Sequence, residues 1–305
     1  MDALSPMRSL MFVPAHRERM VERALGLGEF SPSALDVAIL DLEDGVPAAS
    51  KEEARRVVAG VLGSASKGGT GPLRYVRIRR ANSDEGTADL GAVVRPGLAG
   101  IMAPKVRRAD EVEWLADELD ARERAAKIPH GTVRIIPSIE SAAALLEAPR
   151  IAAAVERVVG LAFGSEDFAL DLGLPTTREA EALEMLYARS ATVVAAASAR
   201  KLSFDGIFPD IRDAAGLRAD SLRARRLGFT GKTLIHPGQI DVVNEAFGPT
   251  AEEVEHARRV VAAFDEGTAR GVGAVELNGQ MLDAPVVERA RRMLSFAAAA
   301  GTGRG

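Results

Sequence analysis

Eight short apolar runs punctuate this chain at intervals of roughly one helix, and that pattern constrains the fold more than anything else in it. The runs are Leu10-Met11-Phe12-Val13, Val37-Ala38-Ile39-Leu40, Tyr75-Val76-Arg77-Ile78, Gly100-Ile101-Met102-Ala103, Arg134-Ile135-Ile136-Pro137, Val158-Val159-Gly160-Leu161-Ala162-Phe163, Gly206-Ile207-Phe208 and Lys232-Thr233-Leu234-Ile235. None alternates apolar with polar residues over any length, as expected of strands buried on both faces. Between them lie stretches with helical spacing, at residues 50–62, 109–127, 141–154, 179–200, 215–227 and 239–246. Ser50 and Glu53 have the spacing of a capping box at the start of the first of these. Strands that alternate with helices call for a parallel sheet. Eight units within some 240 residues predict a (β/α)8 TIM barrel, an α/β fold, over residues 1–248.

The remainder, 249–305, breaks the rhythm. A helix is expected over 250–267 and another over 285–300. Between them Gly273-Ala274-Val275-Glu276-Leu277 followed by Asn278-Gly279 reads as a hairpin. An appendage of this size lacks the core to stand alone and needs another surface to pack on, from its own barrel or a second subunit. The terminal Gly-Thr-Gly-Arg-Gly is expected to fray.

Composition closes several doors. The chain has no cysteine and four histidines, so disulfides, thiolate metal sites and cysteine nucleophiles are excluded and a histidine-rich metal centre is disfavoured. Any metal must be held by oxygen, which suits magnesium or manganese. With 39 basic and 43 acidic residues the chain lacks the basic excess of a general nucleic-acid binder. It has no apolar run of membrane-spanning length and no signal-peptide core at its start, so a cytoplasmic location without membrane partners is expected.

Functional groups of such a barrel sit where strands end at their carboxyl termini. Asp41, Glu43 and Asp44 follow the second run, Pro104-Lys105 the fourth, Glu140 the fifth, and Gly164, Ser165, Glu166 and Asp167 the sixth. Arg77 and Arg79 lie within or just past the third. Charges crowded at one barrel mouth must be paired or bound to a cation. Glu140 and Asp167, one strand–helix repeat apart, have the chemistry of magnesium ligands; they equally have the positions of helix caps. Gly164-Ser165 has the look of an anion-binding turn or simply of a turn. Arg77 is placed to salt-bridge one of the acids after the second run. His16 and His236 read as ordinary polar contacts.

In order along the chain, several segments resemble the citrate lyase beta-subunit-like family, which includes malyl-CoA and citramalyl-CoA lyases. They are Arg8-Ser9-Leu10-Met11-Phe12-Val13-Pro14, Asp41-Leu42-Glu43-Asp44-Gly45-Val46, Lys51 with Ala54-Arg55, Val76-Arg77-Ile78, Pro104-Lys105, Ile139-Glu140 and Phe163-Gly164-Ser165-Glu166-Asp167 with Asp171-Leu172-Gly173. Gly228-Phe229-Thr230-Gly231-Lys232, Ile235-His236-Pro237-Gly238-Gln239 and Met281-Leu282-Asp283-Ala284-Pro285 complete the set.

The resemblance implies a homo-oligomer, trimeric or hexameric, with a magnesium-dependent carbon–carbon lyase site working on an acyl-CoA and a 2-keto acid. It implies that Glu140 and Asp167 hold the metal and that Arg77 meets the thioester oxygen and keto acid. Glu43 and Asp44 are then groups that orient Arg77 and the metal's waters. The backbone at Gly164, Ser165 and Glu166 holds the keto-acid carboxylate, and Arg8, Lys51 and Arg55 serve the CoA phosphates. Asp283, from the appendage of a neighbouring subunit, is the acid or base at the acyl-CoA α-carbon. Two positions depart from the pattern: Arg79 stands where relatives commonly have Asn, and Ala15 where they have Gly. Other readings are a subunit of a citrate lyase complex acting on an acyl-carrier thioester, a thioesterase, and a non-enzymatic CoA or keto-acid binder.

Overall fold

The computed structural model describes all residues except 1–5, 31–33, 65, 67–70, 176–181, 270–274, 278 and 303–305. The chain divides into two compact units, one spanning Arg8–Asn244 and a smaller one made of Met1–Met7 with Glu245–Gly305.

The larger unit is a closed parallel barrel of eight strands in sequential order. Its elements run β1 (Ser9–Pro14), α1 (Glu18–Leu25), β2 (Val37–Asp41), α2 (Lys51–Val61), β3 (Leu73–Arg77), α3 (Asp84–Val93), β4 (Gly100–Ala103) and α4 (Ala109–Ala126). They continue as β5 (Arg134–Ile139), α5 (Ala142–Ala153), β6 (Gly160–Phe163), α6 (Ser165–Asp171), α7 (Leu186–Ser198), β7 (Leu202–Asp205), α8 (Ala214–Leu227) and β8 (Gly231–Leu234). β8 pairs with β1 through Ser9–Lys232, Leu10–Thr233 and Met11–Leu234, which closes the sheet. The strands are buried almost throughout: Leu10, Val37, Ile39, Val76, Ile101, Ile135 and Leu161 are fully inaccessible. Apolar residues on both faces explain why the sequence shows runs rather than alternation.

Seven of the eight expected strands lie where the runs are. The seventh does not: the strand is Leu202–Asp205, and Gly206-Ile207-Phe208 forms the loop after it. Leu202-Ser203-Phe204-Asp205 looks half-polar, yet all its polar groups have partners. Ser203 Oγ donates to the Gly228 carbonyl, and Asp205 receives Arg189 of α7 at 2.8 and 3.0 Å and Lys232 of β8 at 2.5 Å. Asp220 of α8 completes this buried four-charge cluster by accepting from Lys232 at 2.6 Å and pairing with Arg189 at 3.1 Å. Buried charges are tolerable when mutually satisfied.

Helix ends follow local chemistry. Ser141 caps α5 by accepting from the Ala144 N–H, Ser83 caps α3 through Gly86, and Asp213 caps α8 through Gly216. The expected capping box at Ser50 is absent, because Ser50 belongs to a tight 3-10 turn, Ala48–Ser50, and its side chain makes no cap. The helix expected over 179–200 is shorter: a 3-10 turn at Leu183–Met185 leads into α7, and residues 179–181 lie outside those described.

In the smaller unit α10 (Ala251–Ala269) and α11 (Ala284–Thr302) flank the antiparallel pair β9 (Val275–Leu277) and β10 (Gln280–Leu282), while α9 (Ile240–Phe247) runs from one unit into the other. The core of this unit is Ala257, Val260, Leu282, Val287 and Ala290. Gly301 and Thr302 continue α11, and residues 303–305, the rest of the segment expected to fray, lie outside the described residues. No helix among the described residues is long and apolar enough to cross a membrane.

Candidate active site

At the carboxyl ends of the strands lies a cavity of about 270 Å³, walled by Phe12 and Pro14 of β1, Asp41 of β2, Arg77 of β3, Ser138 and Glu140 of β5 and its end, and Gly164 to Asp167 after β6. Register brings its charged groups together: Pro14 stands beside Asp41, and Asp41 beside Arg77, on adjacent strands.

Arg77 is gripped from several sides. Its Nε and one terminal nitrogen donate to the two Asp41 oxygens, both at 2.7 Å. The other terminal nitrogen meets Glu43 Oε2 at 3.1 Å, and the guanidinium lies 4.5 Å over the Phe12 ring. Three of its five N–H groups are thereby used and two remain for a ligand. Burial works against this charge, but Asp41, Glu43 and Glu140 outweigh it and raise the Arg77 pKa. Asp41 is itself fixed by accepting from the Glu43 N–H and the Gly45 N–H, both at 2.9 Å.

Glu140 is buried, and among the described residues no basic side chain forms an ion pair with it or with Asp167. Among the described residues, the hydrogen bond its carboxylate accepts is from the Lys105 backbone N–H to Oε2 at 2.8 Å. Burial, then Glu43 and Asp167, push its pKa up from the ordinary 4.5 to about 7, against the pull of the Lys105 N–H and Arg77. The alternative of a helix cap fails for Glu140, since Ser141 caps α5; Asp167 sits inside the first turn of α6. Two hard carboxylates lining one cavity, without a basic partner among the described residues, fit a divalent cation that completes its shell with water and substrate. Among the described residues no group of three or more His, Cys, Asp or Glu side chains forms a ready-made cage.

Lys105, which the sequence places at a strand end without a role, bridges two of the acids. Its Nζ lies 2.7 Å from Glu43 Oε1 and 3.2 Å from Asp44 Oδ2. Glu43 has a raised pKa from burial despite Arg77 and Lys105; Asp44 has a lowered one, because Lys105 overcomes its partial burial.

The residues expected at CoA phosphates are not gathered at the cavity. Arg8 precedes β1 at the opposite, amino-terminal end of the barrel, where it makes three hydrogen bonds of 2.7–2.8 Å to Asp36. Lys51 donates to the Leu42 and Glu43 carbonyls at 2.8 and 2.5 Å, and so splints the acidic loop. Arg55 pairs with Asp89 at 3.2 Å. Arg79 turns to the same buried Asp89 through its backbone N–H, Nε and a terminal nitrogen, away from the cavity. Ala15 is fully buried, its N–H donating to the Asp41 carbonyl. The Gly164 N–H is used by the Ile139 carbonyl, so it holds no ligand. Asp283 lies in the smaller unit, exposed, where its Oδ1 accepts from Val286 N–H and caps α11. His236 caps the turn after β8 by accepting from Gly238.

A barrel with this mouth defines a class, and comparison with known proteins gives it a name. The chain belongs to the HpcH/HpaI aldolase/citrate lyase family, whose profile matches residues 8–237. It is 37% identical over 299 residues to citrate lyase subunit beta of Escherichia coli (strain K12), covering 96% of this chain and 94% of that one. It is 33% identical over 302 residues to the mitochondrial citramalyl-CoA lyase of Homo sapiens, covering 96% and 86%. Among solved structures, protein CitE from Mycobacterium tuberculosis in complex with magnesium, acetoacetate and coenzyme A superposes with a TM-score of 0.75 at 31% identity, over 97% of this chain and 99% of that one.

Proposed function

We propose that this protein is a magnesium-dependent carbon–carbon lyase that cleaves a 3-hydroxyacyl-CoA thioester, such as malyl-CoA or citramalyl-CoA, into an acyl-CoA and a 2-keto acid. The observation that carries this reading is the pairing, in one cavity, of two carboxylates without basic partners and an arginine whose other donors are locked.

Glu140 and Asp167 are the residues that hold the metal, which when bound supplies Lewis-acid polarisation of the substrate oxygen. As the bond between the two carbons breaks, the hydroxyl oxygen becomes the keto oxygen and releases its proton to water at the mouth. The electron pair moves into the thioester as an enolate. Arg77 offers its two remaining N–H groups to that oxygen; such a preorganised donor is worth about 3 kcal/mol. Asp41, Glu43 and Phe12 keep it in place, so little reorganisation accompanies reaction. The keto-acid carboxylate lies at the amino end of α6, by Ser165 and Glu166, where the helix dipole favours negative charge. Asp283 of a neighbouring copy protonates the enolate carbon. This assigns the segment 249–305 to an interface in a homo-oligomer, a trimer or hexamer, which we place in the cytoplasm.

The test is incubation of purified protein with magnesium and a panel of 3-hydroxyacyl-CoA thioesters, with products identified by mass. Acyl-CoA plus a 2-keto acid supports the reading. Free CoA with an intact hydroxy acid makes the protein a thioesterase; cleavage only of an acyl-carrier-protein thioester makes it a subunit of a larger complex. Asp167→Ala is expected to lose both magnesium binding and cleavage.

A further inference from the structure

Lys105 has a positive φ of 55°, a conformation that costs any residue with a side chain. Lys127, which shares it, ends α4, where left-handed residues are ordinary. Lys105 ends no helix. It stands two residues beyond β4, where glycine would relieve the strain. This backbone aims its N–H at Glu140 Oε2 at 2.8 Å, while its ammonium spans Glu43 Oε1 at 2.7 Å and Asp44 Oδ2 at 3.2 Å. Glu43 turns its other oxygen to Arg77, which Asp41 holds on its far edge. One unbroken series of contacts therefore runs from the carboxylate on the fifth strand to the guanidinium on the third, and Lys105 is its centre.

We propose that Lys105 is a positioning residue that couples the two halves of the site: its backbone fixes Glu140, and its ammonium pins the Glu43–Asp44 loop so that Arg77 stays presented to the cavity. Without that ammonium two adjacent acids lose their shared cation, the loop loosens, and Arg77 is left with its Asp41 and Phe12 anchors while its Glu43 contact weakens. The Lys105 side chain is 42% exposed, so it can hold the loop without the full cost of a buried charge. The assignment rests on the lyase reading for its catalytic meaning, but not for its structural content.

Three variants separate backbone from side chain. Lys105→Met removes only the ammonium; Lys105→Gly removes it and relieves the strain; Lys105→Arg keeps a cation. Hydrogen exchange of a peptide covering residues 42–46, read by mass spectrometry, needs no turnover. It is expected to quicken at least fivefold in K105M and K105G and to stay within twofold of wild type in K105R. Magnesium affinity by calorimetry, without substrate, is expected within threefold of wild type in all three, since the N–H to Glu140 survives. Lysine-to-glycine should melt higher than lysine-to-methionine. In turnover, K105M and K105G should lose at least tenfold in kcat with KM within threefold, and K105R should recover most of it. Unchanged exchange in K105M, wild-type kcat in K105G, or a tenfold loss of magnesium affinity in K105G would each overturn the proposal. Absence of cleavage by the wild-type protein would overturn the lyase reading alone, leaving the exchange result to judge Lys105.

Discussion

Gly164 is a glycine because Glu140 occupies the space its side chain would fill: a Cβ at Gly164 would stand 2.2 Å from Glu140 Cγ and 2.9 Å from Oε1. The backbone there is ordinary, with φ of −92°, so conformational freedom is not the reason. Glu140 cannot retreat, since Lys105 holds its other oxygen.

Gly164→Ala is therefore expected to push the Glu140 carboxylate off its position. Overpacking of this kind costs about 1–3 kcal/mol. Magnesium affinity should fall at least tenfold and cleavage with it, measured by calorimetry and product assay. An alanine variant with wild-type affinity would show that the carboxylate has room to move.

Arg77→Lys should be far from conservative. A lysine cannot bridge both Asp41 oxygens and reach Glu43 together, and Asp41, only 2% exposed, would lose its bidentate partner. Breaking a buried pair by removing one side costs about 3–5 kcal/mol. Urea unfolding of Arg77→Met, which removes the cation outright, should show a loss of that order and R77K a smaller one; Asp41→Asn beside R77M should recover part of the loss by removing the stranded charge.

In metal-free buffer the protein should lose stability as pH rises. A Glu140 pKa of about 7, above its ordinary 4.5, means the folded state binds the proton more tightly than the unfolded chain. The contribution is complete below about 4.5 and gone above about 7, and amounts to about 3 kcal/mol. Unfolding at pH 5 and pH 8 checks this, with Glu140→Gln flattening the difference. Saturating magnesium should reverse the trend, because it binds the ionised form.

The observed cap made by Asp283 and its proposed acid–base role can be tested separately. As the cap of α11 its loss in Asp283→Ala should cost about 1 kcal/mol. Asparagine caps equally well but is no acid. Asp283→Asn should keep the melting temperature and lose proton exchange at the acyl-CoA α-carbon, followed by NMR in deuterated water. Retained exchange in D283N would remove the acid–base role.

Most of the barrel could be read from the chain because strands such as Val37–Asp41 are continuous blocks of apolar residues, visible without knowledge of their neighbours. Leu202–Asp205 was hidden because the partners that make its polar groups buriable, Arg189, Gly228 and Lys232, are distant in sequence. The mouth was legible because strand ends converge, so acids and Arg77 at those ends had to meet. Arg8 misled because a basic residue next to a strand does not reveal which end of the barrel it occupies. Lys105 is visible at a strand end but carries no legible role, because the backbone angle that aims its N–H at Glu140 is one no side-chain pattern reports.

The pairing of Ser9, Leu10 and Met11 with Lys232, Thr233 and Leu234 joins segments separated by more than two hundred positions. Phe12 and Pro14 on one side of the seam and Thr233 and Ile235 on the other wall the same cavity. A growing chain thus carries Asp41, Glu140, Glu166 and Asp167 well before it carries the last strand of the cavity they line. Until that last stave arrives the cavity lacks the wall that Thr233 and Ile235 supply, so closure of the barrel and completion of the site are one event.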